Sequence, residues 1–242
     1  MLSGLTLIGC ANVTSLSVNT DAPKCSGAGF GLSAAPTAAT QALRQELVDA
    51  DALTLDALLD DVAAGKAAAV AELGLRYANG RDLPQDAKRS VELFAYLAEI
   101  GNPLGQYFLA VAYLNGAGVE RNDTKAIWLL EESAKQGYDN AQHWLGLAIG
   151  QGRAGISPNW CAAVPLFKAA ANTISEAAFV LGALYHSGDL GYVDYPEAAK
   201  WYRKAIKADM NIRAQLGLRQ MIENHLIAWQ EGDPGEPAKP RN

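Results

Sequence analysis

Histidine and cysteine are the residues of this chain best suited to catalysis or metal binding. The three histidines, His143, His186 and His225, stand far apart, without the H-x-x-x-H or H-E-x-x-H spacing of metal sites. The three cysteines form no C-x-x-C pair, which argues against zinc binding and thioredoxin-type redox chemistry. No G-x-S-x-G sequence is present. We therefore predict no catalytic residue, no metal and no cofactor, and expect a protein that is not an enzyme.

Three further patterns resemble chemical sites but have simpler explanations. Glu131 and Glu132 are adjacent carboxylates, but they fall on the exposed side of a predicted helix, where charged residues usually face solvent. Cys161 has no histidine near it in the sequence to activate a thiolate. The glycines between positions 27 and 31 follow no predicted strand and precede no G-K-[ST], so they predict a linker and not a phosphate-binding loop.

The overall composition indicates an α-helical protein that does not bind nucleic acid. Half of the 242 residues are hydrophobic, alanine and leucine dominate, and alternating β-branched runs are nearly absent. The chain has 20 basic and 26 acidic residues, a net charge of −6, and no basic cluster. Nucleic-acid phosphates require clustered lysine and arginine, which this chain lacks. No apolar run reaches the roughly 18 residues that a transmembrane helix needs.

The first ten residues contain a sequence that resembles a bacterial lipobox. Leu7-Ile8-Gly9-Cys10 places an apolar stretch and a small residue before a cysteine. The resemblance implies a signal over residues 1–10 and a lipid on Cys10, and Ala11 fits sorting to the outer membrane. No lysine or arginine precedes the apolar stretch, unlike an ordinary signal peptide. The alternative is a cytosolic N-terminal tail with an unmodified thiol.

Residues 11–37 are rich in Ser, Thr, Gly, Ala and Pro, which predicts a flexible linker. Within this linker, Cys25 is a candidate disulfide partner of Cys161 in an oxidising compartment, although the sequence does not fix the distance between them. The lipidated chain is expected in the bacterial envelope, anchored to the outer membrane and facing the periplasm. The cytoplasm is the alternative location.

The strongest pattern is an internal repeat with a period of 36 residues. Leucine recurs at this period in the first helix of each copy, at Leu73, Leu109, Leu145 and Leu181. The residue after each leucine is Gly or Ala. A glycine lies seven residues after each leucine, at Gly80, Gly116, Gly152 and Gly188. A small residue recurs in the second helix, at Ser90, Ala126, Ala162 and Ala198. We expect the period to run through all four copies without an insertion.

Each repeated residue type has a physical role in a stack of helical hairpins. The small residue after the leucine allows a neighbouring helix to approach closely, and the loop glycine ends the first helix in a left-handed conformation. Isolated helices shorter than about 12–15 residues are marginal in water. The hairpins must therefore bury their apolar faces against one another, which requires three or more copies.

The repeats resemble the Sel1-like family, whose 36-residue hairpins are related to tetratricopeptide repeats. The second copy matches the family pattern at many positions: Leu109, Tyr113, Gly116, Gly118, Val119, Asp123, Lys125, Ala126, Leu129, Ala134, Gln136 and Gly137. The last copy matches at Leu181, Gly182, Tyr185, Gly188, Ala198, Trp201, Tyr202, Lys204 and Ala205. The third copy departs from the pattern, with Ile149 for tyrosine and Pro165 in the second helix, and a local distortion is expected there. The resemblance implies an all-α fold, a right-handed α/α solenoid of about four hairpins with helical caps.

The repeats divide the chain into predicted segments. The four copies span 69–209, as 69–104, 105–140, 141–176 and 177–209. An N-terminal helical cap is expected over 38–68, with helices at 38–48 and 54–64. A C-terminal capping helix is expected over 210–230, and residues 231–242 are expected to be a disordered tail because they contain three prolines.

The related tetratricopeptide fold lines a concave groove with one side of each first helix. Positions two before, two after and five after the repeat leucine would face this groove. From these we predict a partner-binding set, the groove row: Tyr107, Val111, His143, Leu147, Phe179 and His186. Its aromatic and imidazole groups suit an extended peptide or a helix. The alternative is that they only complete packing between repeats.

We therefore hypothesise a non-catalytic scaffold that holds a protein or peptide partner at the bacterial envelope, with membrane contact only through a lipid on Cys10. Two alternatives remain at this point. One is a cell-wall-related hydrolase or ligand-binding protein, and the other is a cytosolic regulatory scaffold without lipid. The sequence does not identify the partner, the pathway or the oligomeric state.

Overall fold

The computed structural model describes residues 38–234, and these form eleven α-helices, a single 3-10 turn and no strand. The α-helices are α1 (Ala38–Asp51), α2 (Leu55–Ala63), α3 (Ala67–Asn79), α4 (Ala87–Glu99), α5 (Pro103–Asn115), α6 (Asp123–Lys135), α7 (Asp139–Gln151), α8 (Trp160–Ala170), α9 (Ser175–Ser187), α10 (Tyr195–Asp209) and α11 (Ile212–Glu223). The predicted signal, linker, Cys10 and Cys25 lie outside the described residues.

Helices α3 to α10 form four hairpins that stack in chain order. Each helix from α3 onward packs against the helix that follows it, and contacts between more distant helices are few. We call the first helices of the hairpins (α3, α5, α7 and α9) the A helices, and the second helices (α4, α6, α8 and α10) the B helices. One continuous core of buried leucine, alanine and aromatic side chains runs from α3 to α11. The predicted all-α solenoid is confirmed.

Glycine ends every A helix, as the sequence predicts. Gly80, Gly116, Gly152 and Gly188 have φ values of 70°, 66°, 71° and 84°, and each lies one residue beyond the end of its helix. An L-residue other than glycine is strained at such angles, which explains why this position is glycine in all four copies.

The small residue after the repeat leucine lies against the partner B helix. A Cβ atom on Gly74 would lie 2.5 Å from Cε1 of Phe94, and one on Gly182 would lie 2.5 Å from Cδ1 of Tyr202. Real Cβ atoms do not approach other atoms so closely. Glycine therefore gives the aromatic ring of the B helix its place in the core.

The third hairpin departs from the uninterrupted period that we predicted. In every hairpin, the backbone N–H of the residue that caps the B helix donates a hydrogen bond to a carbonyl near the end of the A helix. In the first, second and fourth hairpins, these two residues are nine positions apart; in the first, Asp86 donates to Tyr77 at 2.9 Å. In the third, the bond joins Asn159 to Ile149, one residue farther apart, at 3.0 Å. The loop thus contains an extra residue, and α8 is shifted by one. Ala163, which is fully buried, takes the position expected for Ala162.

The C-terminal cap is shorter than predicted. Helix α11 ends at Glu223, and the chain then turns at His225, whose φ is 57°. Asp233 is buried and accepts two hydrogen bonds from the Arg203 guanidinium, at 2.8 and 2.7 Å. Residues 231–234 are therefore held against α10, in contrast to the predicted disordered tail, and residues 235–242 lie outside the described range.

The two helices before the repeats behave differently from each other. Helix α2 begins at a side-chain cap from Thr54, ends near Gly65 and packs on α3, as a B helix before the first repeat would. Helix α1 does not pair with α2 as the helices of a repeat do, and it packs chiefly on α3. Helix α1 therefore lies on the surface formed by the A helices, which we call the A-helix face.

Candidate partner-binding groove

The structure places the groove row on three consecutive A helices. Tyr107 and Val111 are on α5, His143 and Leu147 on α7, and Phe179 and His186 on α9. Tyr107, Val111, Leu147, Phe179 and His186 are half-buried, whereas His143 is only 8% exposed. The row is thus a set of partly accessible apolar and aromatic groups, with one nearly closed position at its centre.

Tyr107 belongs to an aromatic group at the junction of the second and third hairpins. Its ring centroid lies 5.3 Å from that of Tyr138 and 5.1 Å from that of Phe108, within the range of favourable aromatic pairs. Burial raises the pKa of the Tyr107 hydroxyl, and the neighbouring Trp144 side chain offsets this in part. The hydroxyl therefore stays protonated at neutral pH and is available as a hydrogen-bond donor.

His143 packs inside the third hairpin. Its ring lies edge-on to Phe167 of α8, with centroids 5.8 Å apart, and its Nδ1 atom has no hydrogen-bond partner. Burial lowers the pKa of His143 to about 4, so the ring is neutral at physiological pH. These observations favour a packing role for His143 over direct partner contact.

Phe179 and His186 both contact Tyr202 of α10. The Phe179 ring lies 6.1 Å from the Tyr202 ring and is covered on another side by the Arg213 guanidinium, 4.6 Å from the ring centroid. Nδ1 of His186 lies 3.3 Å from the Tyr202 hydroxyl, and burial lowers the pKa of this histidine. The last hairpin therefore uses its row residues largely to pack against α10 and α11. Tyr107, Val111 and Leu147 are the partly exposed row residues that lie outside this contact with α10 and α11.

Helix α1 crosses the A-helix face, which the sequence interpretation did not anticipate. At the middle of α1, Arg44 forms an ion pair of 2.7 Å with Asp139, the first residue of α7. The Thr40 hydroxyl donates a hydrogen bond of 3.4 Å to the carbonyl of Gly137. Since α1 also packs on α3, and the hairpins stack in chain order, α1 passes over the second hairpin.

The C-terminal end of α1 is fixed to the first hairpin by a buried arginine. The guanidinium of Arg76 donates to the main-chain carbonyls of Asp51 and Leu53, at 3.2 and 2.6 Å. It also pairs with Glu72 at 3.0 Å, and both side chains are almost fully buried. Because a buried charge is tolerated only when its donors are satisfied, Arg76 holds the α1–α2 turn firmly on α3.

A signal for this arrangement is present in the sequence. The α1 residues that contact the rest of the chain are spaced at three or four residues: Thr40, Leu43, Arg44, Leu47 and Ala50. This spacing places them on one side of a helix. The pattern predicts that α1 buries one side, but no local pattern reveals that the surface it covers belongs to three different hairpins.

Several of the candidate chemical groups can be located in the described part of the chain. Within residues 38–234, no group of three His, Cys, Asp or Glu side chains is arranged to hold a metal ion. Cys161 is disulfide-bonded and so provides no free thiolate; its predicted partner, Cys25, lies outside the described residues. Glu132 pairs with Lys135 at 2.6 Å on an exposed surface. Among the described helices, none has both the length and the apolar character needed to span a bilayer.

Comparison with known protein families identifies the repeats. The family model described as Sel1 repeat matches four segments, which together cover more than half of the chain: residues 67–102, 103–138, 139–172 and 175–210. The third segment is the shorter one in the region of the shifted helix α8. Repeats of this family generally mediate protein–protein interaction and act as non-catalytic scaffolds.

A curated protein and two solved structures resemble the chain. The exopolysaccharide production negative regulator of Rhizobium meliloti (strain 1021) is 32% identical over 132 residues, which are 49% of this chain and 49% of the regulator. The chain therefore matches about half the length of that relative. A protective antigen of uropathogenic Escherichia coli with an SLR fold superposes with a TM-score of 0.62 at 28% identity, covering 69% of this chain and 36% of the antigen. A Sel1 repeat protein from Oxalobacter formigenes superposes with a TM-score of 0.60, also at 28% identity, covering 68% of this chain and 47% of its own.

Proposed function

Because this chain belongs to the Sel1 repeat family, we propose that it is a non-catalytic scaffold that binds a protein or peptide partner on its A-helix face, at the bacterial envelope. The main support is the set of half-buried row residues on α5 and α7. Tyr107, Val111 and Leu147 present partly accessible apolar and aromatic groups from two adjacent hairpins. Such groups are typical of the contacts that dominate binding energy in protein interfaces.

The relative from Rhizobium meliloti favours a regulatory form of this scaffold role. That protein is described as a negative regulator of exopolysaccharide production. A scaffold of this kind regulates by holding or masking another protein. The partner we propose is accordingly a protein, and its capture by the A-helix face is the regulatory event.

Two observations support a location in the envelope. Cys161 is disulfide-bonded, and disulfides persist in the periplasm and outside the cell but are rare in the reducing cytoplasm. Leu7-Ile8-Gly9-Cys10 resembles a lipobox. Mass spectrometry of the N-terminal peptide from native membranes tests the anchor: a lipidated Cys10 is expected. An unmodified Met1 on the mature chain would instead favour the alternative of a cytosolic scaffold without lipid.

Affinity capture from the native host tests the binding surface. The tagged wild-type chain should retain a protein that the variant Val111→Glu/Leu147→Gln loses, because a charge and an amide then replace apolar contacts. Trp128→Ala is the matched control, since Trp128 is 59% exposed on the B helix α6, away from the A-helix face. Circular dichroism checks that all three chains keep their helical content. Equal capture by the groove variant and the wild type would refute the assignment of the surface.

The hydrolase alternative has its own test. Because the thiol of Cys161 is in a disulfide, a cysteine nucleophile at this position is disfavoured. Incubation of the purified chain with peptidoglycan should release no soluble fragments. Release that persists in the Cys161→Ser variant would indicate a hydrolase that uses other groups.

A further inference from the structure

We propose that α1 occupies a binding site for an amphipathic helix of the protein partner, and that the partner displaces α1 when it binds. This inference rests on the proposed function, because it names the kind of partner that the A-helix face accepts. It assigns α1 a role as an intramolecular ligand of the solenoid. The evidence lies in how α1 contacts the hairpins and in how little of the repeat structure depends on it.

Helix α1 contacts the solenoid in the way that a docked peptide helix does. Its inward side carries Thr40, Leu43, Arg44, Leu47 and Ala50. Its outward side carries Gln45, Val48 and Asp49, all exposed, with Val48 at 62%. Anchors at i, i+3, i+4 and i+7 are the usual spacing of a helix that lies in the groove of another protein.

Most of the repeat core forms without α1, whose one fully apolar buried residue, Ala50, joins a small cluster with Leu58 of α2 and Leu73 of α3. Four stacked hairpins with α2 before them and α11 after them already form a continuous core from α3 to α11. Of the α1 side chains, only Thr40 and Ala50 are buried, whereas Leu43 and Leu47 are half-buried. Arg76 holds the C-terminal end at Asp51, so the N-terminal part of α1 can leave while the turn to α2 stays in place.

The polar contacts of α1 define the chemistry of the partner helix. The Asp139 carboxylate is 2% exposed and is already hydrogen-bonded to Thr173, and Arg44 supplies its charged partner. A helix that replaces α1 therefore needs a basic residue at this point. The Thr40–Gly137 bond adds a small polar residue four positions earlier. We expect a partner helix with a small polar residue at position i, leucine or a similar residue at i+3 and i+7, and Arg or Lys at i+4.

Covalent attachment makes α1 a strong competitor of any external helix. A ligand joined by a short connection has an effective concentration on the order of millimolar. The apparent affinity of an external helix equals its intrinsic affinity multiplied by the fraction of molecules in which the site is free. A chain whose own α1 is weakened should therefore bind an external α1 peptide more tightly than the wild-type chain does.

The test is fluorescence anisotropy with a labelled synthetic peptide of residues 38–51, titrated with full-length protein. The undocked variant, Arg44→Glu/Leu47→Asp, leaves Asp139 and the A helices unchanged and should bind the peptide at least about tenfold more tightly than the wild type. The Val48→Asp variant is the matched control, because Val48 faces solvent, and should bind like the wild type. A peptide carrying Arg44→Glu should not bind the undocked variant.

Equal affinity of the wild type and the undocked variant for the peptide, or no binding to the undocked variant, would overturn the inference. Circular dichroism and cooperative urea unfolding check that the variant is folded; if it is not, Arg44→Ala is titrated under the same criterion. The peptide assay contains no partner protein. If the peptide assay fails but affinity capture depends on the groove residues, only the role of α1 is refuted. If the peptide assay succeeds but capture does not depend on the groove residues, the capture of a partner by the A-helix face is refuted.

Discussion

Arg44 of α1 and Asp139 of α7 form an ion pair of 2.7 Å that joins the N-terminal helix to the third hairpin. The Asp139 side chain is 2% exposed and that of Arg44 is 30% exposed, so solvent screens the pair less than it screens an ordinary surface pair. This contact fixes where α1 lies. It also pairs the buried Asp139 carboxylate at the start of α7 with a basic residue of α1.

Replacing Arg44 with alanine should release the N-terminal part of α1. We expect a loss of about 1 kcal/mol in the free energy of unfolding, because Asp139 keeps its hydrogen bond from Thr173. Urea unfolding gives the energy, and hydrogen exchange should show faster exchange of amides 40–47. Arg219→Ala is the control: its ion pair with Glu223 is exposed at both ends, and its loss should change stability little. Unaltered exchange in α1 would contradict the role of Arg44.

The contact between Gly74 and Phe94 predicts a compensating pair of substitutions. Gly74→Ala places a Cβ atom against the Phe94 ring and should destabilise the chain by about 1–3 kcal/mol. The second hairpin has Ala110 and Leu130 at the matched positions, so Gly74→Ala/Phe94→Leu should cost less than the two single changes added together. Thermal or urea unfolding of the four chains measures this coupling. Strict additivity would show that the two residues do not compete for the same space.

Buried His143 should make stability depend on pH. Its folded pKa is about 4, below the ordinary value of 6.5. As the pH falls, His143 takes up a proton in the unfolded chain before it does so in the folded chain. The contribution of the neutral, buried His143 ring to the free energy of unfolding is therefore full above pH 6.5 and is lost as the pH falls towards 4. At 1.36 kcal/mol per pKa unit, the loss is roughly 3 kcal/mol at most.

Urea unfolding between pH 7 and pH 4.5 checks this dependence. The variant His143→Gln should lose less stability over this range than the wild type, because it lacks the titrating ring. His225→Gln serves as control, since His225 is exposed. Parallel pH profiles for the wild type and His143→Gln would contradict the burial argument.

The repeat architecture could be predicted from the sequence because its cause is local. Leu109 and Gly116 mark an apolar face and a helix end within one hairpin, and their recurrence reveals the stack. The one-residue shift of α8 could not be predicted, because Ala162 and Ala163 are both small and either satisfies the pattern. The structure decides between them through the bond from Asn159 to Ile149.

The surface residues were harder to predict than the repeats. The sequence placed His143 in the groove row, but it cannot show that Phe167 closes over the ring. It also indicates that α1 is amphipathic, but Arg44 meets Asp139 only through the three-dimensional stacking of the hairpins. Long-range contacts of this kind leave no periodic trace in the sequence.

Site-specific photocrosslinking in the native host tests whether the partner binds the A-helix face. A benzoylphenylalanine at position 147 of the full-length chain lies on the A-helix face, whereas one at position 128 lies on α6. We expect a light-dependent adduct with a protein partner from position 147 and none from position 128. An adduct from position 128 without one from position 147 would show that the partner binds elsewhere on the solenoid and would contradict binding to the A-helix face.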